Sequence, residues 1–279
     1  MKLLSTPAFK RTFDERAALL PQITEAADLL YAAGRDNTQV AAGDLAKFAS
    51  GELDDAYAVQ HLNIRRALDS GANVIGHKVG LTSEAMQRQL GVTEPDSGIL
   101  LDRMMLANDS VVAAGTFFQP RVEAEFGVVI LADFPAGPSP DEAAVRDGIS
   151  GTFLALEILE TRYPSWLISL WQSIADNASC GAAVAGPVTQ AVPVDRLKDQ
   201  RIDIFVDGFK ADTGFGHAVL GDPVKSVLWL AERLHRAGLG LHEGDLVITG
   251  SVHASIGLDG VSEVRAVSSE YEDVRLRFE

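Results

Sequence analysis

Apolar positions recur at helical spacing between Pro21 and Ala33, where Ile23, Ala26, Ala27, Leu30 and Tyr31 share one face and Gly34 follows as a stop. A second helical period starts at Asp54 or Asp55, runs through Tyr57, Val59, Ile64, Ala67 and Leu68, and ends near Gly71. Beyond residue 72 the texture changes to short β-branched runs punctuated by glycine: VIGHKVG, VVAAG, VEAEFGVVIL, FLALEIL, IDIFVDG and DLVITGSV. Two helices interrupt these strands. One spans Trp166 to Ala175, with Trp166, Leu167, Leu170, Trp171 and Ile174 on one face; the other spans Pro223 to Ala237, with Asp222 as N-cap and Gly238 just past its end. Regular βαβ alternation is missing, so the pattern predicts an α+β fold built on a mixed sheet or barrel. It divides the chain into a helical N-terminal region, 1–72, and a β-rich core, 73–279, with no Pro-, Gly- or Ser-rich linker between them.

Nearly half of the 279 residues are apolar, enough for a sizeable core. Twenty-four Lys and Arg against 39 Asp and Glu leave a net charge of −15, which repels phosphate backbones and anionic membranes and makes nucleic acid an unsuitable partner. That field also opposes an anionic substrate unless a bound cation offsets it. Cys180 is the one cysteine, so neither an intramolecular disulfide nor a thiolate cluster can form, as suits a reducing compartment. The N-terminal stretch is interrupted by Lys10, Arg11, Asp14 and Glu15, unlike a secretory signal, and no apolar run reaches membrane-spanning length. The expectation is a cytoplasmic protein.

Within this frame a few polar residues stand where burial makes them costly. Glu123 and Glu125 are two apart in a strand-like run, so they leave one face roughly 6 to 7 Å apart at the backbone and can converge on one hard cation. From this spacing alone the solvent face of an edge strand is the commoner explanation, and pairing with Arg121 is another remedy for the buried charge. Glu157 lies in FLALEIL, apolar on both faces, where a carboxylate needs a counter-charge; a metal or Arg162 would serve. Three carboxylates and water make the oxygen environment that Mg²⁺ and Mn²⁺ prefer. Lys78 stands in an apolar, Gly-flanked strand, where burial would bring its pKa toward a useful acid–base range. Asp96 reads locally as a turn acid, and Asp176 to Gly181 as either a capping turn or a polar binding wall. HExxH, P-loop and G-x-S-x-G motifs are absent, and Gly214-Phe215-Gly216 lacks the third glycine of a dinucleotide fingerprint. The six histidines are scattered, and His77 beside Lys78 is the one to watch.

In order along the chain, GHKVGLTS (76–83), GVTEPDSG (91–98), QPRVEAEF (119–126), ALEI (155–158), ADNASCG (175–181) and the VLGDP to ITGS stretch (219–251) resemble the 2-hydroxypenta-2,4-dienoate hydratases. That family is related to the 4-oxalocrotonate decarboxylases and shares the fumarylacetoacetate hydrolase-like fold. The resemblance implies a mixed β roll or barrel, homo-oligomeric assembly, and Mg²⁺ or Mn²⁺ held by Glu123, Glu125 and Glu157. It also implies proton transfer by Lys78 and Asp96, and substrate binding by Thr82, Asn177, Ser179 and Thr249. The implied substrate is a small 2-oxo or 2-hydroxy acid, and the implied reaction is addition of water to a 2-hydroxy-2,4-dienoate in catabolism of aromatic compounds. An acid at position 96 and the QPR and DNASCG wording favour the hydratase over the alternative, decarboxylation of a 2-oxo-3-enedioate. Carbon–carbon hydrolysis of an acylpyruvate would need a water base that the sequence does not offer. A non-catalytic subunit retaining the metal site is the alternative of another class. Departures at Glu160-Thr161-Arg162, at Ser97 and after Ser251 bear on the pocket's shape.

Overall fold

The computed structural model describes residues 17, 20–41, 44, 51–83, 87, 92, 94–134 and 140–279. The N-terminal stretch 1–16, read above as unlike a secretory signal, lies outside them, as do Gly91 and Thr93 of the 91–98 block.

Helix α1 (Pro21–Asp36) buries Ile23, Ala26, Ala27, Leu30 and Ala33, the face that the 3.6-residue period marks. It runs past Gly34, because the left-handed residue that ends it is Asn37 (φ 49°), whose N–H bonds Ala33 O. Helix α2 (Leu53–Asp69) follows. The chain then lays down β1 (Val74–Gly80), β2 (Asp96–Leu101), β3 (Met105–Leu106), β4 (Ser110–Val112) and β5 (Arg121–Ile130). Next come α3 (Glu142–Asp147), β6 (Ile149–Leu159), α4 (Leu170–Ala175), β7 (Cys180–Ala185), β8 (Arg201–Val206) and β9 (Phe209–Phe215). Helix α5 (Pro223–Arg236), β10 (Leu246–Ser251), β11 (Ile256–Gly257), β12 (Glu263–Val267) and β13 (Val274–Phe278) complete the order. Among the described residues no helix is long and apolar enough to cross a membrane.

Two mixed sheets result. One has the order β2-β1-β10-β5-β6-β7-β3, with β11 pairing β5; the other has the order β4-β13-β12-β8-β9. The pairs β1–β10, β3–β7 and β4–β13 are parallel and the remainder antiparallel, which is the α+β, mixed-sheet roll expected from the missing βαβ rhythm. One contiguous apolar core takes in Ala27, Leu30 and Tyr57 from the first two helices, Val122 and Leu156 from one sheet, and Val264 and Leu276 from the other.

Strand alternation sorts β5 cleanly: Val122, Ala124, Phe126 and Val128 enter this core, so Arg121, Glu123 and Glu125 emerge on the opposite face. That face is covered too, by a smaller cluster that includes Leu100, Phe153, Ala155, Cys180 and Ile248. Coverage on both sides explains why FLALEIL carries no polar alternation. Two expectations change. Strand β5 lies between β10 and β6, so it is not the solvent-facing edge that would explain Glu123 and Glu125 without a cation. The helix expected from Trp166 starts at Leu170, because a capping box between Ser169 and Gln172 sets its N-terminus there. Trp166 instead donates Nε1–H to Gln119 O at 3.0 Å, and Leu167 is 95% exposed.

Candidate metal and proton-transfer site

The antiparallel register of β5 with β6 sets Glu123 directly opposite Glu157 and Glu125 opposite Ala155. Thirty-four residues of separation are thereby reduced to one cross-strand pair, and one oxygen from each of Glu123, Glu125 and Glu157 falls within 4.8 Å of the others. All three side chains are buried. Glu125 Oε2 accepts the Gly250 N–H at 2.6 Å, while Glu125 Oε1 and both Glu157 oxygens lack hydrogen-bond partners. Gly250 has φ +111°, and a Cβ there would lie 2.2 Å from Thr82 Oγ1, so the peptide that reaches Glu125 requires glycine. Of the two arginines that could have neutralised the acids, one is paired with another carboxylate and the other is hydrogen-bonded to a serine, from where its charge only partly offsets the rise at Glu123. Arg162 Nε pairs with Asp176 Oδ1 at 3.1 Å, and Arg121 donates to Ser255 Oγ and O at 2.7 and 2.6 Å.

Lys78, on β1 and 3% exposed, places Nζ 3.2 Å from Glu157 Oε1, an ion pair without hydrogen-bond alignment. Burial pulls this ammonium down, but Glu157, Asp96, Cys180 and Glu123 outweigh it, and its pKa stands raised rather than lowered. The expected drop toward the acid–base range therefore does not follow from burial alone. The carboxyls move up: burial, then Glu157, pushes Glu123 to about 8. Burial followed by the neighbouring acids holds Glu125 well above its ordinary value, and burial raises Glu157 against the pull of Lys78. Burial and then Glu157 also push the Cys180 thiol up, so it stays protonated and offers no thiolate. Three buried acids, two of them with oxygens that lack a partner, face one buried lysine among the described residues. This surplus of negative charge and hard oxygen donors fits a divalent cation such as Mg²⁺ or Mn²⁺.

Asp96 opens β2, which pairs antiparallel with β1 and brings it opposite Gly80. Burial raises its carboxyl, partly countered by Lys78 and Ser173. A Cβ on Gly80 would lie 2.3 Å from Asp96 Oδ1 and 3.1 Å from Lys78 Nζ, and one on Gly98 would lie 3.1 Å from Lys78 Cγ. The glycines beside Lys78 and Asp96 thus make room for the acid and the ammonium to share one space. Gly80→Ala is expected to displace the buried Asp96 carboxylate, lowering kcat by roughly 10²-fold while sparing the metal-induced rise in Tm. Steady-state kinetics beside a thermal-shift titration with Mn²⁺ would check this; unchanged kcat would show that the close approach is not needed.

Above the acids lies a cavity of about 490 Å³. Lys78, Asp96, Arg121, Glu123, Ser173, Ser179 and Ser255 supply polar groups to its lining, and Leu81, Leu159, Trp166, Leu167, Ile168 and Leu170 line it with apolar surface. Ser179 is buried and its Oγ has no partner. It ends a run of three left-handed residues, Asn177 (φ 56°), Ala178 (φ 53°) and Ser179 (φ 54°), an unfavourable backbone for non-glycine residues. The Asn177 amide supports this run by bonding Ile99 N and O at 2.8 and 3.0 Å, as a strand partner would. Three of the four residues assigned above to substrate binding therefore sit elsewhere. Asn177 is engaged with β2, Thr249 Oγ1 donates to Phe126 O at 2.8 Å, and Thr82 packs under Gly250; none lines this cavity. Sequence reasoning passed over Ser173, Gly80, Gly250 and the irregular Trp166–Ile168 wall. Only the glycines left a trace, as regular punctuation around the polar residues.

Residues 73–274 match the family model of the fumarylacetoacetate (FAA) hydrolase C-terminal region. The chain is 36% identical over 243 residues to the TodF product hydratase of Pseudomonas putida, covering 85% of this chain and 88% of that protein. It is 34% identical over 259 residues to a 2-keto-4-pentenoate hydratase of Paraburkholderia xenovorans, covering 90% and 95%. Among solved structures, a 4-oxalocrotonate decarboxylase from Pseudomonas putida, complexed with magnesium and adipate, superposes with a TM-score of 0.85 at 26% identity over 93% of this chain and 98% of that one.

Proposed function

The chain belongs to the 2-keto-4-pentenoate hydratase family, within the fumarylacetoacetate hydrolase-like proteins, and from that premise we propose that its reaction takes place in the cavity over Glu123. The protein is a metal-dependent hydro-lyase that adds water to a 2-hydroxy-2,4-dienoate to give a 4-hydroxy-2-oxo acid. One observation carries the placement: a buried acid triad reaches a single, largely apolar cavity through Glu123, where Lys78 and Asp96 line the same space.

Glu123, Glu125 and Glu157 would hold the cation, which supplies Lewis acidity at the substrate's oxygen end when bound. The chain's own groups then divide the remaining work. Lys78 Nζ, kept charged by the facing carboxylates, stabilises negative charge that develops on the substrate's oxygens. Asp96 Oδ1, buried and without a hydrogen-bond partner, takes or gives a proton. Ketonisation moves the proton of the 2-hydroxyl to C5; water then adds its oxygen at C4 and a proton at C3, so that one water is gained. Ser179 Oγ has a free hydroxyl for a substrate or water oxygen, and the Leu159–Leu170 wall shields the tail and limits bulk water.

The decarboxylase similarity favours a second reading, loss of CO₂ from a 2-oxo-3-enedioate at the same site. Turnover of 2-hydroxypenta-2,4-dienoate and its carboxylated homologue, followed by dienol absorbance and product mass, separates the two. The hydratase gains one water, loses roughly 10²-fold or more of its rate in EDTA, and recovers with Mg²⁺ or Mn²⁺. Release of CO₂ from the enedioate alone would move it to the decarboxylases, and metal binding without turnover of either would make it a binding subunit. Homo-oligomeric assembly and a cytoplasmic location complete the reading. The first is supported by the edge strand β9, whose Phe209 and Phe215 are exposed, and the second by the lone, buried Cys180.

A further inference from the structure

We infer that Ser173 is a positioning residue that decides which oxygen of Asp96 handles the proton, an inference that rests on the reading of Asp96 given above. Ser173 lies on α4 and donates Oγ–H to Asp96 Oδ2 at 2.7 Å. A serine hydroxyl has one proton to give, so the second oxygen, Oδ1, stays bare, buried and without a partner. Oδ1 is also the oxygen beside the space that Gly80 leaves open, a point 2.3 Å from Oδ1 and 3.1 Å from Lys78 Nζ. The hydrogen bond therefore prevents the carboxylate from rotating, and the bare oxygen and the ammonium are presented to the cavity side by side.

The helix carrying Ser173 is itself fixed from two sides. Its N-terminus is closed by the Ser169–Gln172 capping box. Near its end, Gln60 Nε2 on α2 donates to both Ile174 O and Ser97 O at 3.1 and 2.8 Å, tying α4 to the strand that carries Asp96. The same six residues supply Leu170 to the cavity wall, so the group that meets the substrate's tail and the group that orients Asp96 move as one body. A serine at this place would be spare in a merely apolar helix; here it bonds the one acid outside the triad that lines the cavity among the described residues.

The charged and titratable groups acting on Asp96 are Lys78 from β1, Glu123 from β5 and Tyr57 from α2, together with the Gly80 N–H. Since the Ser173 bond favours the carboxylate, losing it moves the limb of the pH–rate profile that belongs to Asp96 to higher pH. The test compares Ser173→Ala, Ser173→Thr, Asp96→Asn and the Ser173→Ala/Asp96→Asn double variant, with the Mn²⁺-induced thermal shift as the check on folding. Ser173→Ala is expected to lose roughly 10- to 100-fold in kcat with KM within about threefold of wild type. Ser173→Thr, which keeps the hydroxyl, is expected to recover most of that loss, and the double variant to be no slower than Asp96→Asn alone. Full kcat and an unmoved pH limb in Ser173→Ala, with Asp96→Asn inactive, would overturn the inference. A fully active Asp96→Asn would instead overturn the reading of Asp96 beneath it.

Discussion

Replacing Lys78 by methionine is expected to lower kcat/KM by roughly 10²- to 10⁴-fold, the range for a positioned acid–base or charge-stabilising group, while divalent-metal affinity holds or rises. Methionine keeps most of the stem that packs against Gly98, so the cavity floor retains its shape. What disappears is the ammonium 3.2 Å from Glu157 Oε1. In the metal-free protein the acids then lose the one buried cation beside them among the described residues and hold their protons still more tightly, and leaving a buried partner uncompensated costs about 3 to 5 kcal/mol. In the loaded protein a repulsive positive charge has been removed from beside the metal. The two readouts therefore move in opposite directions, which a generally damaged site would not do. Mn²⁺ titration by calorimetry and turnover at saturating Mn²⁺ measure them, and near-native turnover would remove Lys78 from the mechanism.

Glu125→Gln is expected to abolish the metal-induced rise in Tm, to weaken Mn²⁺ binding by roughly 10²-fold or more through the lost ligand charge, and to stop turnover. The metal-free variant should nevertheless be at least as stable as wild type. Glu125 is fully buried, Oε2 holds the Gly250 N–H, and Oε1 has no partner; an amide oxygen can still accept from Gly250, and the amide N–H can donate toward the neighbouring acids. The sign of the pH dependence follows from the raised pKa. A carboxyl whose folded pKa lies above its unfolded value binds its proton more tightly in the folded state. Its contribution to stability is therefore complete below the unfolded pKa and is lost as pH rises through the folded one. The metal-free variant should match wild type in mildly acidic buffer and exceed it increasingly in alkaline buffer, with Mn²⁺ reversing the order. A metal-free variant less stable than wild type at alkaline pH would show that the acid triad is not the uncompensated cluster its geometry describes.

Both predictions depend on residues that the sequence made conspicuous by cost. A lysine flanked by glycines and apolar residues, two acids at strand spacing, and a third acid in a run apolar on both faces each demanded an explanation, because burying a charge without a partner is expensive. The same reasoning could not choose between a cation and an arginine for those acids. Of the two arginines weighed against the metal, the Arg162 guanidinium is paired with Asp176, 14 residues away, and that of Arg121 is held by Ser255, 134 residues away, from where it only partly offsets the rise at Glu123. Asn177 shows the opposite limit. Its amide looked available for a ligand, yet it replaces a strand partner for Ile99 and supports the left-handed turn that brings Ser179 to the cavity.

What the chain's own pattern determined was everything that periodicity and local cost can encode. That includes the helical start and the β-rich remainder, the α+β class, the faces that α1 and β5 bury, and the four charged residues Lys78, Glu123, Glu125 and Glu157 around which a site could form; Asp96, locally a turn acid, was singled out only by the family resemblance. Tertiary structure alone decided how they meet. The β5–β6 register paired Glu123 with Glu157, the β1–β2 register brought Asp96 over Gly80, and the irregular path before Leu170 turned an expected helix face into a cavity wall. Register and loop path are settled by contacts between segments far apart in sequence, so the spacing within any one segment carries no record of them. The orientation of Asp96 by Ser173 belongs to the same class, since a hydrogen bond across 77 residues has no local signature.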